Sequence, residues 1–446
     1  MKPEMITPVC DFAKRYAKSD VLRLHMPGHK GAPLLGCEAL DLTEIKGADS
    51  LFEADGIIAE SEANASALFG CKTYYSTEGS SLCIRAMLAL VSQNVCKRGE
   101  KCRILAGRNA HKCFLSAAAL LDLDITWLCP EEGDSYLSCA VTAEHLAETL
   151  DGMHQKPAAV YVTSPDYLGN TVDVRSLAEV CHANGIYLLV DNAHGAYLKF
   201  LKPSQHPIDL GADLCCDSAH KTLPVLTGGA YLHVSDTVCA LFADNVKKSM
   251  MLFGSTSPSY LILQSLDAAN AYLAENKDSY ATFARLANDC REKLSAYTFI
   301  GGEPLKWTLS TKPYGYLGVE FSDILRVHGV ECEFADPDYV VLMLSPTLGA
   351  AGVERLTAIL ANIPKKEAIT STPPAISRAE RALSVREAML SPCELLPVAE
   401  CEGRILADAG VGCPPAVPIL VCGERIDRAA IEAFSYYGVI SCNVVK

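Results

Sequence analysis

Between about residues 70 and 235, short apolar runs alternate with helix-length stretches whose apolar residues recur every three to four positions, and this alternation leaves few folds open. It predicts βαβ units around a mostly parallel sheet. "AAVYVTSP" (158–165) reads as a buried strand ending in a polar turn. "VRSLAEVCHANG" then sets Leu177, Val180 and Cys181 on one helical face, with Gly185 as the C-terminal stop. "IYLLVDNAHG" is the next buried strand and delivers Asp191 at its carboxyl end. Ligands of open α/β sheets bind beyond that end.

Upstream, "TYYSTEGSSLCIRAMLALV" reads as a short strand, a Gly-Ser-Ser turn and a helix with Leu82, Ala86 and Leu90 on one stripe. Gly79, Ser80 and Ser81 therefore open a helix, where backbone N–H groups can seat a phosphate. "RILAGRNAHKCFLSAAALL" likewise places Asn109 to Lys112, and so His111, between a strand and a helix. After about residue 270 the pattern changes to long amphipathic helices, then an α/β stretch to Asn362 and a segment, "IPKKEAITSTPPAISRAERAL", of linker composition. The expected organisation is an N-terminal arm (1–30), a large domain (31–270), a small α/β domain (271–362), a linker (363–378) and a C-terminal domain (379–446). A length of 446 residues fits two or three domains.

A net charge of -14 with no basic run argues against a nucleic-acid partner. No apolar stretch approaches a membrane span, and the first 20 residues lack the apolar core of a signal peptide, so no membrane partner and a cytoplasmic location are expected. The 20 cysteines are scattered, without Cys-x-x-Cys or paired Cys and His at zinc spacing. Most read as small buried apolar residues in a reducing compartment, and no metal site is expected.

Against this background "DSAHKTLPVLTGGAYLH" (217–233) is unusual: a lysine in a Ser-x-His-Lys-Thr cluster followed by a Gly-Gly pair and an apolar strand. A catalyst built on pyridoxal phosphate needs a lysine to bind the aldehyde, a carboxylate against the pyridine nitrogen, a phosphate cup and a flat group over the ring. The chain offers Lys221, then Asp191, then Gly79, Ser80 and Ser81 with Ser218 and His220, and finally His111. Each has a plainer reading when taken singly. Ser-x-His-Lys arises by chance, Asp191 could cap a turn, His194 could bond nearby backbone, His111 could only start a helix, and Gly79 to Ser81 could be an ordinary cap. Their order and spacing together favour the cofactor.

The same residues resemble the pyridoxal-phosphate-dependent ornithine/lysine/arginine decarboxylase family, of the aspartate-aminotransferase-like type I fold. "LRLHMPGHKGAP" (22–33) resembles its His-x-Pro-Gly-His-Lys motif, "DNAHGAY" its Asp-Glu-Ala-His-Gly motif and "DSAHKTL" its lysine motif. "GSTSPSY" (254–260) resembles its Ser-Thr-Ser-Pro segment, and "CPPAVPILVCGE" (413–424) its Tyr-Pro-Pro-Gly-Ile-Pro motif. The resemblance implies an α/β chain with a large cofactor domain, a smaller α/β domain and a C-terminal extension. It makes Lys221, Asp191, His111 and His194 catalytic, with cofactor contacts from Gly79, Ser80, Ser81, Ser164, Ser218, His220, Ser255 and Thr256. In the family the Ser-Thr-Ser segment reaches a neighbouring subunit's phosphate, which implies a homodimer with shared active sites, and possible higher oligomers. Asn192 replaces the family's usual glutamate, Glu78 stands where asparagine is common, and Asn170 follows Gly169 in a loop on the substrate side. The first motif comes about 20 residues into the chain, as in short members without the receiver-like N-terminal domain.

The implied activity is α-decarboxylation of arginine, lysine or ornithine to an amine of the polyamine type, with arginine slightly favoured. Fold alone does not set the reaction, so an aminotransferase, a β-eliminating lyase, a retro-aldolase or a non-catalytic paralogue is the alternative at this stage. Glu331, Glu333, Asp336 and Asp338 in "GVECEFADPD", with Glu424, are candidates for the substrate's distal charge, although a solvated acidic loop is the plainer reading.

Overall fold

The computed structural model describes residues 5–129, 135–374, 379–408 and 415–446. Part of the expected linker (375–378) and the first two residues of the C-terminal motif, Cys413 and Pro414, lie outside the described residues. Among the described residues no helix is long and apolar enough to cross a membrane. The chain divides into two compact units, Met1–Val95 with Tyr187–Tyr280, and Cys96–Ile186 with Ala281–Lys446.

The strands, in chain order, are β1 (Lys72–Ser76), β2 (Arg103–Gly107), β3 (Asp124–Leu128), β4 (Ala159–Thr163), β5 (Tyr187–Asp191), β6 (Leu214–Asp217), β7 (Ala230–Val234), β8 (Thr298–Ile300), β9 (Lys306–Ser310), β10 (Phe334–Ala335), β11 (Tyr339–Met343), β12 (Cys393–Pro397) and β13 (Ser441–Val445). Pairings β2/β3, β2/β4 and β5/β6 are parallel, as the alternating pattern predicts. Strand β7 runs antiparallel to both its neighbours, β1 and β6.

In the first unit the helix Gly79–Asn94 buries Leu82, Ala86 and Leu90. The register of β5 against β6 sets Asp191 beside Cys216, so Asn192 and Asp217 come next to each other one step later. Because side chains alternate along a strand, Asp191 and Asp217 point to opposite faces. On the Asp217 face, β7 contributes His233 and β1 contributes Thr73, which are partners in the β1/β7 ladder.

In the second unit the helix Val174–Ala183 buries Leu177 and Cys181 while Val180 is partly covered, and Gly185 follows it in the left-handed region at φ +68°. The strands β8 to β11 form an antiparallel sheet of order β10-β11-β9-β8, and β12 pairs with β13. The C-terminal segment packs Val398, Leu406, Ile426 and Phe434 against Tyr136, Tyr167 and Phe334. Most cysteines with a free thiol are buried, as expected, whereas Cys96 and Cys102 are joined in a disulfide that the spacing had not suggested.

Asp336 illustrates the cost of carboxylates in this unit. One oxygen accepts the backbone N–H groups of Asp338 (2.8 Å) and Tyr339 (2.7 Å), while the other has no hydrogen-bond partner. Burial pushes its carboxyl up from 3.8 to about 7, outweighing those two hydrogen bonds. A carboxyl raised in the folded state keeps its proton while the unfolded chain releases it, so its contribution falls as pH rises from about 4 to about 7 and is level outside that window. Asp336→Asn should therefore stabilise the protein by up to about 4 kcal/mol at about pH 8 and leave it nearly unchanged near pH 4, read from thermal melts at both pH values.

Candidate active site

Strand β5 ends on Asp191, which is 2% exposed. Its Oδ1 accepts the Ala193 N–H at 3.1 Å and lies 3.6 Å from the Cys216 thiol, which donates to it from the neighbouring strand. Three residues after Asp191, in the same turn, His194 is buried. Strand β6 ends on Asp217 and passes directly into the helical turn Ala219–Thr222, which carries Lys221. Lys221 Nζ lies 2.9 Å from His194 Nε2, so the ends of two adjacent parallel strands bring the lysine to the histidine of the Asp191 turn.

The residues expected to hold a phosphate also converge. Ser218 Oγ donates to Ser80 Oγ at 2.8 Å, although Ser80 is 138 positions earlier. The Gly228-Gly229 turn ties the two sides: Gly79 N–H donates to Gly228 O at 2.7 Å, and His220 N–H to Gly229 O at 3.1 Å. Gly79 has φ +68°, and a Cβ there would meet only His220 Cε1, at 4.0 Å. An alanine would therefore cost about 1–2 kcal/mol through its backbone conformation and not through crowding. Ser81 stands in the same first helical turn, half-buried. Ser255 N–H donates to the Glu78 carboxylate at 2.6 Å, so the departure at residue 78 fastens the 255 loop beside the helix start. Ser255 and Thr256 are exposed.

His111 and Ser164 belong to the second unit. His111 caps the helix Lys112–Leu121, its Nδ1 accepting the Cys113 N–H at 3.2 Å. Ser164 is buried, and its Oγ accepts the Val172 N–H at 3.2 Å. The acidic candidates have other partners. Arg108 donates to Glu424 at 2.9 Å, Arg326 holds Glu331 at 3.1 Å and Tyr167 donates to Glu333 at 3.0 Å. Asp338 takes Lys312 and the Tyr436 hydroxyl, each at 2.7 Å. These carboxylates are engaged in structure within their own unit, and Asp336, Asp338 and Glu424 are buried and not part of a solvated loop.

Sequence reading missed a cluster directly behind the turn. Asp217 Oδ2 accepts from His206 Nε2 and His233 Nε2, both at 3.1 Å, and its Oδ1 accepts from Asn192 Nδ2 at 2.6 Å. All four side chains are buried. Burial alone would raise the Asp217 carboxyl, yet the two imidazoles hold it well below the usual carboxylate range. Donor atoms of His206, Asp217 and His233 lie within 4.8 Å of one another. They are 11 and 16 residues apart in sequence, with no local motif; only the strand register that sets His233 on the Asp217 face could have pointed to them.

A parallel pair of strands thus brings a buried carboxylate and a lysine lying against a histidine to one end of the sheet, beside paired serines at a helix start; comparison with known proteins identifies the family. Residues 7–300 match the model of the Orn/Lys/Arg decarboxylase major domain and residues 365–442 that of its C-terminal domain. The chain belongs to the Orn/Lys/Arg decarboxylase family and is a decarboxylase of basic amino acids. It is 30% identical to the uncharacterized protein YaaO of Bacillus subtilis (97% of this chain, 94% of that one). It is 29% identical to an arginine decarboxylase of Halalkalibacterium halodurans (95% and 91%). The lysine decarboxylase LdcF of Francisella novicida shares the fold, with a TM-score of 0.79 at 17% identity over 99% of this chain and 82% of that one.

Proposed function

We propose that the chain decarboxylates arginine with pyridoxal phosphate bound through Lys221. The contact that carries this reading is the 2.9 Å approach of Lys221 Nζ to His194 Nε2, one turn from the buried Asp191. The residues fit the cofactor's chemistry. A reactive amine, a buried acid and a serine-lined helix start with a positive-φ glycine supply an aldehyde partner, a pyridinium partner and a phosphate seat.

When bound, the cofactor supplies an electron sink for the pair released as the Cα–carboxylate bond breaks. Lys221 would hold the aldehyde until the substrate amine takes its place, and its freed amine would then be placed to return a proton to Cα. Asp191 keeps a proton on the pyridine nitrogen, which its burial and the Ala193 N–H orient it to do. His194 positions the Lys221 amine and exchanges a proton with it. Gly79, Ser80, Ser81, Ser218 and His220 would hold the phosphate; His111 and Ser164 are proposed as further cofactor contacts, His111 toward the ring. Ser255 and Thr256, exposed in the single chain, would serve a second subunit's phosphate in a homodimer with shared sites. The division into an arm, a large domain, a small domain, a linker and a C-terminal domain goes with the same proposal, as does a cytoplasmic enzyme supplying polyamine precursors.

Arginine is chosen because relatives named arginine decarboxylase align over 95–96% of the chain. Parallel assays of arginine, lysine and ornithine test it: release of carbon dioxide and amine from arginine at the highest kcat/KM supports the reading, and a keto acid product or a preference for lysine or ornithine contradicts it.

A further inference from the structure

Four polar side chains without any solvent exposure, His206, Asp217, His233 and Asn192, sit in the core behind the reactive turn, where apolar residues would cost less. Their hydrogen bonds centre on Asp217, while Asn192 Oδ1 and His206 Nδ1 are buried without a hydrogen-bond partner among the described residues. Asp217 accepts three N–H donors on two oxygens, which makes both imidazoles Nε2–H donors. His233 Nδ1 lies 3.0 Å from the Thr73 hydroxyl. Only one of the three donors to Asp217 comes from the β5 turn, and it is Asn192, wedged between Asp191 and His194.

Asn192 is held to β6 twice: its N–H donates to Cys216 O at 2.9 Å, and its side chain to Asp217 at 2.6 Å. Its own carbonyl accepts the Gly195 N–H at 2.8 Å, closing the turn around His194. The turn's orientation, and with it the carboxylate on one side and the lysine-bound imidazole on the other, therefore depends on this amide. A glutamate at 192, usual in the resembled family, would set a second carboxylate against Asp217; the amide suits the acid it faces.

We propose that Asn192 and Asp217 form a matched positioning pair, anchored by His206 and His233, that fixes the Asp191–His194 turn relative to Lys221. This rests on the proposed cofactor reading for its consequence at the site, while the pairing stands on geometry alone.

The pair can be tested by exchange. Asn192→Asp opposes two carboxylates, and Asp217→Asn removes the charge that the histidines surround. In the double variant, Asn at 217 offers its Nδ2 to Asp at 192 and its Oδ1 to both imidazoles, which restores every bond and reverses only the one between the two side chains. Each single variant should lower affinity for pyridoxal phosphate and kcat by about tenfold or more, move the visible band of the bound cofactor and leave KM within about threefold. The double variant should return all three to within about threefold of the parent.

Thermal melts of the four cofactor-free proteins read the pairing separately: the double variant should melt above either single one. If the parent binds no pyridoxal phosphate, the functional reading fails and the melts still judge the pair. Should a single variant not fold, recovery of folded protein in the double variant supports the pair by itself, and Asn192→Ala, which adds no charge, stands in for the spectrum. Singles that melt lower yet keep the parent's band and affinity would overturn the positioning role. So would a double variant no better than the worse single, or a stoichiometric divalent ion found bound at His206, Asp217 and His233.

Discussion

Lys221→Ala should abolish decarboxylation, lowering kcat by at least about four orders of magnitude, while the protein stays folded. Its side chain is half-buried and its Nζ lies against the His194 ring, so its removal opens no cavity in the apolar core. The same variant should lose the visible band that the parent acquires with pyridoxal phosphate, because it lacks the amine that lies 2.9 Å from His194. Melting within a few degrees of the parent, with activity gone, separates a lost reaction from a lost fold. Retained turnover at a tenth of the parent's rate would mean that another group holds the substrate's carbonyl partner.

Asp191→Ala should lower kcat by about a thousandfold, with a smaller change in KM. The buried carboxylate is the group that would hold a positive ring nitrogen, and without it the ring takes up electrons poorly. Asp191→Glu keeps the charge but lengthens the side chain in a turn already fixed by the Ala193 N–H and the Cys216 thiol, so it should recover only part of the loss. The expected order in kcat is parent, Glu, then Ala, read from steady-state rates at saturating substrate. Equal rates in all three would remove Asp191 from the chemistry.

Much of this was legible in the sequence because the decisive signals are local. A buried apolar run ending in "DNAHG" announces a strand that presents Asp191, and "TEGSS" before a helical stripe announces a helix start with room for an anion. The contact between Ser80 and Ser218 follows once both are placed at strand or helix ends of one sheet. What stayed hidden depends on non-local register. A fully buried strand reads alike in either direction, so the antiparallel placement of β7 against β1 and β6 left no mark on its composition. That placement alone brings His233 to Asp217, and a loop return brings His206. Glu424 looked available because its partner, Arg108, is 316 positions away. The helix Tyr260–Glu292 breaks at Asn276, where φ is −114° and ψ 18°, within the local run Asn276-Lys277-Asp278-Ser279, whose Asn, Asp and Ser are weak helix formers.

The central claim is that the Lys221 amine carries the cofactor aldehyde. Incubation with pyridoxal phosphate, reduction with borohydride and peptide mass mapping test it most directly. The account predicts one pyridoxyl group per chain, on Lys221, that is absent when reduction is omitted. A label on a different lysine, or none on a folded protein, would contradict it.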